Sequence, residues 1–246
     1  MNVLAIESSG PIGSVAACRD DELLVERVLE AGMEHGRMLV PLVDRVIQEV
    51  AWDKRRDIDL ICVSQGPGSF TGLRVGVCCA KTLATLLNKP LVGICSLDAM
   101  AENAPHEYVS VLTALDAKRD QLYVAAYERR GEDLERKAGP AIMSAREARD
   151  ALAGPVYVMG DALRQYPGEF QPPGFVAAPE ELWRIRASVI ARLGLEAFRA
   201  GRTDEPVNFQ PVYLRLAEAE EKRLARERTE TTTVPGQDSA DNGDKG

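Results

Sequence analysis

The sequence has few of the residues on which metal binding and nucleophilic catalysis depend. Its 246 residues include two histidines, His35 and His106, and neither has a second histidine four residues away. The cysteines lie within apolar segments, form no Cys-x-x-Cys pair and number five: Cys18, Cys62, Cys78, Cys79 and Cys95. Such an odd set is typical of small core residues and not of a disulfide framework. These absences exclude a zinc ribbon, argue against a histidine-based metal site and leave no pairing typical of nucleophilic catalysis.

Long apolar runs and an excess of basic charge are also missing. No apolar run reaches the roughly 18 residues of a membrane span, and no basic region and cleavage site precede the first apolar segment. We therefore expect a cytoplasmic protein with no membrane partner. The net charge is −8, and residues 217–246 hold eight acidic against five basic residues, which leaves about −5 on the rest. A chain without a basic face is a poor tRNA binder, so any tRNA contact should be indirect.

A glycine-rich stretch at residues 66–74, GPGSFTGLR, is the most informative segment. It joins an apolar run to a helix pattern that ends at Leu87. Its glycines permit a tight turn, and Ser69 and Thr71 can cap the helix and leave N–H groups facing an anion or a partner. It is neither a P-loop nor a dinucleotide-binding loop, because three residues separate Gly68 from Gly72 and Leu73 follows. A strand-to-helix connection without a ligand remains the alternative.

The hydrophobic pattern predicts an α/β protein. Three strands at 3–7, 14–19 and 23–29 precede an amphipathic helix around 38–50, a strand at 60–63, the helix to Leu87 and a strand at 91–94. A second unit begins near Pro105, with strands at 108–115 and 122–127 around a turn at 116–120. We predict helices at 144–152, with a capping box of Ser144 and Glu147, and at 180–199, a short strand at 156–159 and a loop at 166–179.

These elements suggest domains at residues 1–104 and 105–216, with the last helix possible on either, and a tail at 217–246. The tail is charged and then polar, and we expect a helix extended to about residue 228 followed by disorder.

Five motifs of this chain resemble the TsaB (YeaZ) family in identity and order. They lie at residues 3–9 with 13–16, 34–37, 39–42, 66–72 and 211–215. The resemblance spans residues 1 to about 215 and is weakest between 130 and 205. It implies two ribonuclease-H-like domains of the actin, sugar kinase and heat-shock ATPase type, the second of them reduced.

The resemblance also implies a function. A TsaB-like chain would be a non-catalytic subunit that binds TsaD, and through it TsaE, for transfer of a threonylcarbamoyl group to N6 of the adenosine beside the anticodon in tRNA. It would form a homodimer when alone. No cofactor would be tightly bound, and ATP or ADP would sit at the partner interface. The expected interface comprises His35, Arg37, Met38, Leu42, Arg45, Val46, Gly72, Gly76, Ala80 and Ala84.

The last four of these residues recur every fourth position and form a small-residue ridge. Packing on the protein's own sheet is the alternative for the ridge.

The metal-binding histidines of TsaD are one helical turn apart. Because Ala31 and Leu39 occupy the positions four before and four after His35, no metal is expected in this chain. Nucleotide-facing loops would comprise Glu7, where aspartate is usual in TsaB, with Ser8, Ser9, Gly66, Gly68, Ser69, Thr71 and Arg74. For Glu7 a capped, solvated strand end is the favoured alternative.

A free-standing enzyme is the competing interpretation, either a small-molecule kinase or a glycopeptidase-like metallopeptidase. A metallopeptidase needs about three protein ligands on its metal, for which two isolated histidines are a poor start. Asp116 and Asp120 could form an acid–base pair, but a strand-connecting turn fits their setting better.

Overall fold

A computed structural model describes residues 1–29, 35–152, 154–171 and 173–215. The helix and disorder expected for the tail lie outside the described residues. The described part contains two five-stranded sheets, and residues 1–214 form one compact unit. A domain boundary at 104/105 therefore stays a prediction.

The first sheet has the strand order β3-β2-β1-β4-β5. Strands β1 and β2 pair antiparallel, as do β2 and β3, whereas β4 and β5 continue the sheet parallel to β1. β1 and β4 are apolar almost throughout because helices cover both faces of this sheet. The strands are Asn2–Glu7, Ser14–Arg19, Glu22–Val28, Leu60–Gly66 and Leu91–Cys95.

Helices α1 (His35–Glu49) and α2 (Phe70–Leu87) cover one face of this sheet. Apolar residues three and four apart on α1 bury a stripe that includes Leu39 and Val43. By length and composition alone, α2 could cross a membrane. Its buried side, however, packs on β1 and β4, which is the packing of a core helix in an α/β layer.

The second sheet has the order β10-β9-β6-β7-β8. Short helices α4 (Ala145–Asp150) and α5 (Ala162–Gln165) pack on its outer face. Between the two sheets lie α3 (Ser96–Ala101) and α6 (Ala187–Arg199), within one continuous core. The strands are Ser110–Asp116, Leu122–Arg130, Asp133–Met143, Val156–Met159 and Phe175–Ala177.

The last helix packs against β1, β2, β4 and β5 of the first sheet. The helix predicted over 180–199 was too long, because a 3-10 helix at Glu180–Trp183 is followed by extended chain before α6. Long-range contacts set this break: the amide of Ala187 donates to Ser14 Oγ at 2.9 Å and to Glu26 Oε1 at 2.8 Å. The carboxylate of Glu26, on strand β3, thus caps the amino terminus of α6. The residues next to α6 in the sequence give no sign of this contact.

Strand β8 was not predicted, because its exposed residues Glu135, Arg136 and Lys137 interrupt any apolar alternation. Helix α3 was missed, and so was β10, which lies in the stretch predicted as a loop. The capping box at α4 is confirmed, since Ser144 and Glu147 exchange both hydrogen bonds. The turn between β6 and β7 is confirmed too, with Lys118, Arg119 and Asp120 all in the left-handed region.

Candidate functional site

The glycine-rich loop packs directly on the turn between β1 and β2. The amide of Ser69 donates to the carbonyl of Ser9 at 2.7 Å, and Ser8 Oγ donates to the carbonyl of Gly72 at 2.8 Å. A Cβ on Gly68 would lie 2.5 Å from the Ser9 carbonyl oxygen, and one on Gly72 would lie 2.0 Å from that of Ser8. Glycine is therefore required here for close contact with the chain's own backbone.

The capping role predicted for Ser69 is confirmed, because its side chain accepts a hydrogen bond from the amide of Gly72. Thr71 is exposed beside it. Gly66 ends β4 with a φ of 105°, and its missing side chain leaves room for Leu73 and the carbonyl of Val212. The loop and the turn expected to face a nucleotide thus meet, although their mutual contacts use several of their polar groups.

Two separate sequence motifs meet at an aromatic cluster at the start of α2. The Phe70 and Tyr213 rings lie 4.8 Å apart, and the Arg74 guanidinium lies 4.0 Å from the Phe70 centroid. Arg74 Nε also donates to the Tyr213 hydroxyl at 3.2 Å. Arg74 is exposed, and an Arg over an aromatic face is a favourable contact. The motif at 211–215 therefore anchors the chain to the glycine-rich loop.

A strap at residues 203–213 leads to this cluster along the edge of the first sheet. Asp204 pairs with Leu91, and its carboxylate accepts from the Gly93 amide at 2.8 Å. Phe209 is buried beside Gly93, where a Cβ would lie 2.5 Å from the ring. The strap thereby covers part of β5, which would otherwise be a free edge.

Glu7 ends β1 in a buried position. Its Oε1 accepts hydrogen bonds from Ser9 N, Ser9 Oγ and Gly10 N, whereas its Oε2 has no partner. Burial raises the pKa of Glu7 above its ordinary value, although these hydrogen bonds oppose the shift. Glu7 therefore does not behave as a solvated strand end.

The small-residue ridge faces the protein's own sheet, which corrects its assignment to the interface. Gly72, Gly76, Ala80 and Ala84 are all buried, and a Cβ on Gly76 would lie 2.0 Å from Ser8 Oγ. Val46 is buried too, on the inner side of α1. The physical reason is that the same small stripe lets α2 approach β1, so residue spacing alone cannot distinguish the two settings.

The other expected interface residues lie on α1, of which His35 is the first residue. Arg37 and Arg45 are exposed and Leu42 is half-buried. Met38 is an apolar side chain with 40% of its surface exposed. Arg45 forms an exposed ion pair with Glu49 at 2.8 Å.

Exposed stripes of α1 and α2 together form an outer surface. Leu86 of α2 is 76% exposed, and the positions four and eight before it are exposed as well. The two helices pack against each other. We call the α1–α2 face the set of Met38, Pro41, Arg45, Cys78, Thr82 and Leu86. Its two large apolar side chains, Met38 and Leu86, remain exposed to solvent.

A cavity of about 500 Å³ lies between the ends of β4 and β5, the last turns of α6 and strand β8. Inside it, Asp98 accepts a hydrogen bond from the Tyr127 hydroxyl at 2.9 Å. Asp98 also forms an ion pair with Arg136 at 2.8 Å. Burial raises the pKa of the adjoining Cys95 thiol to about 11. At neutral pH this thiol is protonated and therefore a poor nucleophile.

Within the described residues, no group of three or more His, Cys, Asp and Glu side chains is placed to hold a metal ion. Asp116 is engaged in its turn, where it accepts a hydrogen bond from the Lys118 amide at 2.7 Å and forms an ion pair with the Lys118 ammonium.

The sequence did not predict the contact of Tyr213 with Phe70, nor the Glu7 Oε2 atom that has no hydrogen-bond partner. The aromatic residues within two of the motifs were the available signal for the contact between Tyr213 and Phe70.

Comparisons with known proteins agree with these motifs. Residues 29–173 match the family model described as "TsaD: tRNA N6-adenosine threonylcarbamoyltransferase". The chain is 29% identical to the tRNA threonylcarbamoyladenosine biosynthesis protein TsaB of Escherichia coli over 87% of this chain and 95% of that protein. It is also 29% identical to TsaB of Bacillus subtilis, over 90% and 97% of the two chains.

The fold is similar to that of YeaZ from Pseudomonas aeruginosa, with a TM-score of 0.73, 22% identity and coverage of 86% of this chain and 100% of that one. This likeness supports the two ribonuclease-H-like domains implied by the motifs. The family model covers more than half of the chain, and the named relatives cover most of it. The chain therefore belongs to the TsaB (YeaZ) family, within the wider group described by the TsaD model, and has a role in threonylcarbamoyladenosine biosynthesis.

Proposed function

We propose that this chain is a non-catalytic subunit that binds TsaD, and through it TsaE, during transfer of the threonylcarbamoyl group to N6 of the tRNA adenosine beside the anticodon. Alone it forms a homodimer, and it works in the cytoplasm. Membership of the TsaB family supports the pathway. The net negative charge supports indirect tRNA contact.

The observation that carries the binding role is the α1–α2 face. It presents Met38 and Leu86 to solvent on two adjacent helices, beside the exposed pair of Arg45 and Glu49. Exposed apolar side chains accompanied by charged residues are common at protein interfaces. The partner would cover the outer stripes of both helices and leave the buried ridge untouched.

The absence of an enzymatic role rests on the chemistry of the described residues. No metal-ligand cluster occurs among them, and the Cys95 thiol is held protonated. Nothing in the described structure favours the alternative of a kinase or a metallopeptidase over a subunit role.

We further propose that this chain alone holds no nucleotide and that ATP or ADP enters the assembly at the partner interface. The Ser9 and Gly10 amides already donate to Glu7, and the Ser69 amide donates to the Ser9 carbonyl. These groups are then unavailable to a phosphate. Equilibrium dialysis with ATP should show binding to the complex with TsaD and not to the lone chain, and binding of the same affinity to both would contradict the proposal.

Co-purification with TsaD tests the binding role. Met38→Glu places a charge in the contact and should weaken TsaD binding by about 2 kcal/mol or more, roughly 30-fold. The matched control is Val176→Glu on β10, whose parent side chain is 38% exposed. Circular dichroism should show both variants folded. A folded Met38→Glu variant with unchanged affinity would remove the α1–α2 face from the proposal.

A further inference from the structure

A row of buried polar side chains crosses the first sheet where its strands end. Glu7 pairs with Ser14 of β2. Because Ile6 pairs with Val63, the next positions along β1 and β4 are Glu7 and Ser64. Ser64 Oγ in turn lies 2.8 Å from Ser96 Oγ at the start of α3. All four polar residues have no solvent exposure, so the carboxyl group of Glu7 sits in the interior among hydroxyl and amide groups.

The two carboxyl oxygens of Glu7 have unequal surroundings. Oε1 accepts hydrogen bonds from Ser9 N at 2.6 Å, Ser9 Oγ at 2.7 Å and Gly10 N at 3.0 Å. Oε2 is equally buried. The Ser64 hydroxyl interacts with the carboxyl group, but no well-formed hydrogen bond reaches Oε2. In a carboxylate both oxygens only accept, so Oε2 would be a buried charged atom without a well-formed hydrogen bond. In a carboxylic acid Oε2 carries the proton and becomes a donor itself.

We propose that Glu7 is a neutral carboxylic acid in the folded protein at pH 7, with its proton on Oε2 directed toward Ser64 Oγ. Ser64 then donates to Ser96, and the row has one hydrogen-bond direction from Glu7 through Ser64 to Ser96. Burial shifts the pKa of Glu7 upward, in the direction that this state requires, and outweighs the hydrogen bonds of Ser9, Ser64 and Gly10, which lower it.

No positive charge among the described residues contributes to the pKa of Glu7. At the β2 end of the row, Glu26 of β3 accepts from the Ala187 amide, which also donates to Ser14. At the α3 end, Cys95 next to Ser96 is a protonated thiol. The turn contributes Ser8, Ser9 and Gly10, and α2 contributes the backbone of Gly72, none of which is ionisable.

The neutral acid gives the turn a dependence on pH. Glu7 holds the amides of Ser9 and Gly10, and the same turn holds the glycine-rich loop through Ser8 and Ser9. Because the folded pKa is raised, this contribution to stability is complete below the ordinary glutamate pKa, about 4.3. It is lost as the pH rises through the folded pKa. Alkaline conditions should therefore lower the free energy of unfolding.

Carbon-13 NMR of the full chain labelled at the glutamate carboxyl carbon measures the protonation state directly. We expect one glutamate signal that stays in its protonated position at pH 7, far from the bulk of signals that titrate near 4.3. Glu7→Gln should remove that signal. If every glutamate titrates at or below the ordinary value, the proposal is wrong.

A second variant gives a result of opposite sign for the two protonation states. Ser64→Ala removes an acceptor if Glu7 is neutral, and should lower the Glu7 pKa. If Ser64 instead donates to a carboxylate, the same change should raise the pKa, which would overturn the proposal. This readout does not require Glu7→Gln to fold.

Urea unfolding adds an independent measurement. Glu7→Gln should raise the urea midpoint relative to wild type at pH 8 more than at pH 5, because the amide keeps the acceptor and a donor but cannot ionise. Glu107→Gln, at an exposed position, should leave the difference between the two pH values unchanged. A Glu7→Gln midpoint below wild type at pH 8 would count against a neutral Glu7.

Discussion

Single residues at the contact between α2 and β1 show how little room separates the helix from the sheet. Gly76 lies where a Cβ would be 2.0 Å from Ser8 Oγ and 3.2 Å from its Cβ. The four-residue spacing of the ridge was visible in the sequence, but whether the ridge faces the protein's own sheet or a partner was not. Small residues permit close approach to a partner or to the protein's own strand equally well, and burial in this fold decides the matter.

We expect Gly76→Ala to lower the free energy of unfolding by roughly 1–3 kcal/mol, because the added methyl group must displace Ser8 in a packed contact. Urea denaturation measures the change. Gly168→Ala is the control, since a Cβ at Gly168 would meet nothing within 4 Å. Equal stability of the two variants would mean that α2 can move away from β1 without cost.

Ala80→Glu should unfold the protein instead of separating it from a partner. Ala80 is fully buried, and an unpaired carboxylate there has neither solvent nor a counter-ion. Circular dichroism should show loss of helical structure at room temperature. A folded Ala80→Glu variant would contradict the burial of the ridge and support its assignment to an exposed surface.

At the scale of elements, the first sheet and its helices were predictable because each carries a clear apolar period, as in α1. The capping box at Ser144 was likewise visible as a local pattern. Strand β8 was not, since charged residues at an edge strand mask its alternation. The start of α6 depends on Glu26, far away in the sequence. The pairing of Asp204 with β5 is long-range in the same way.

The strap makes a testable contribution to stability. Phe209 is 7% exposed and packs beside Gly93, so Phe209→Ala should lower the free energy of unfolding by about 3–5 kcal/mol. Val207→Ala, in the same strap but at a 68% exposed position, should change it little. Thermal or urea unfolding of the two variants shows whether Phe209 anchors the strap or whether the strap only covers the sheet edge. Equal effects would show that Phe209 does not anchor the strap.

At the scale of the whole molecule, the two sheets share the core that surrounds α3 and α6. Residues from both sheets, such as Ala5 and Val111, belong to the same cluster. Neither half can lose this core without exposing apolar surface of the other. The resemblance predicted two ribonuclease-H-like units, but it could not show that they share one core.

We therefore expect one cooperative unfolding transition. Trp52 reports on the helical side of the first sheet and Trp183 on the second sheet's cluster. Fluorescence of Trp52→Phe and Trp183→Phe variants should follow the same urea midpoint as circular dichroism of each variant. Probe-dependent midpoints within one variant would indicate that the halves unfold separately.

The strap also has a consequence for synthesis on the ribosome. The chain is made from its amino terminus, so β5 is complete long before Asp204 and Phe209 leave the exit tunnel. During that interval the Gly93 amide lacks its carboxylate, and the edge of the first sheet is open to other nascent chains. The last described segment therefore closes an edge that stays open for much of synthesis.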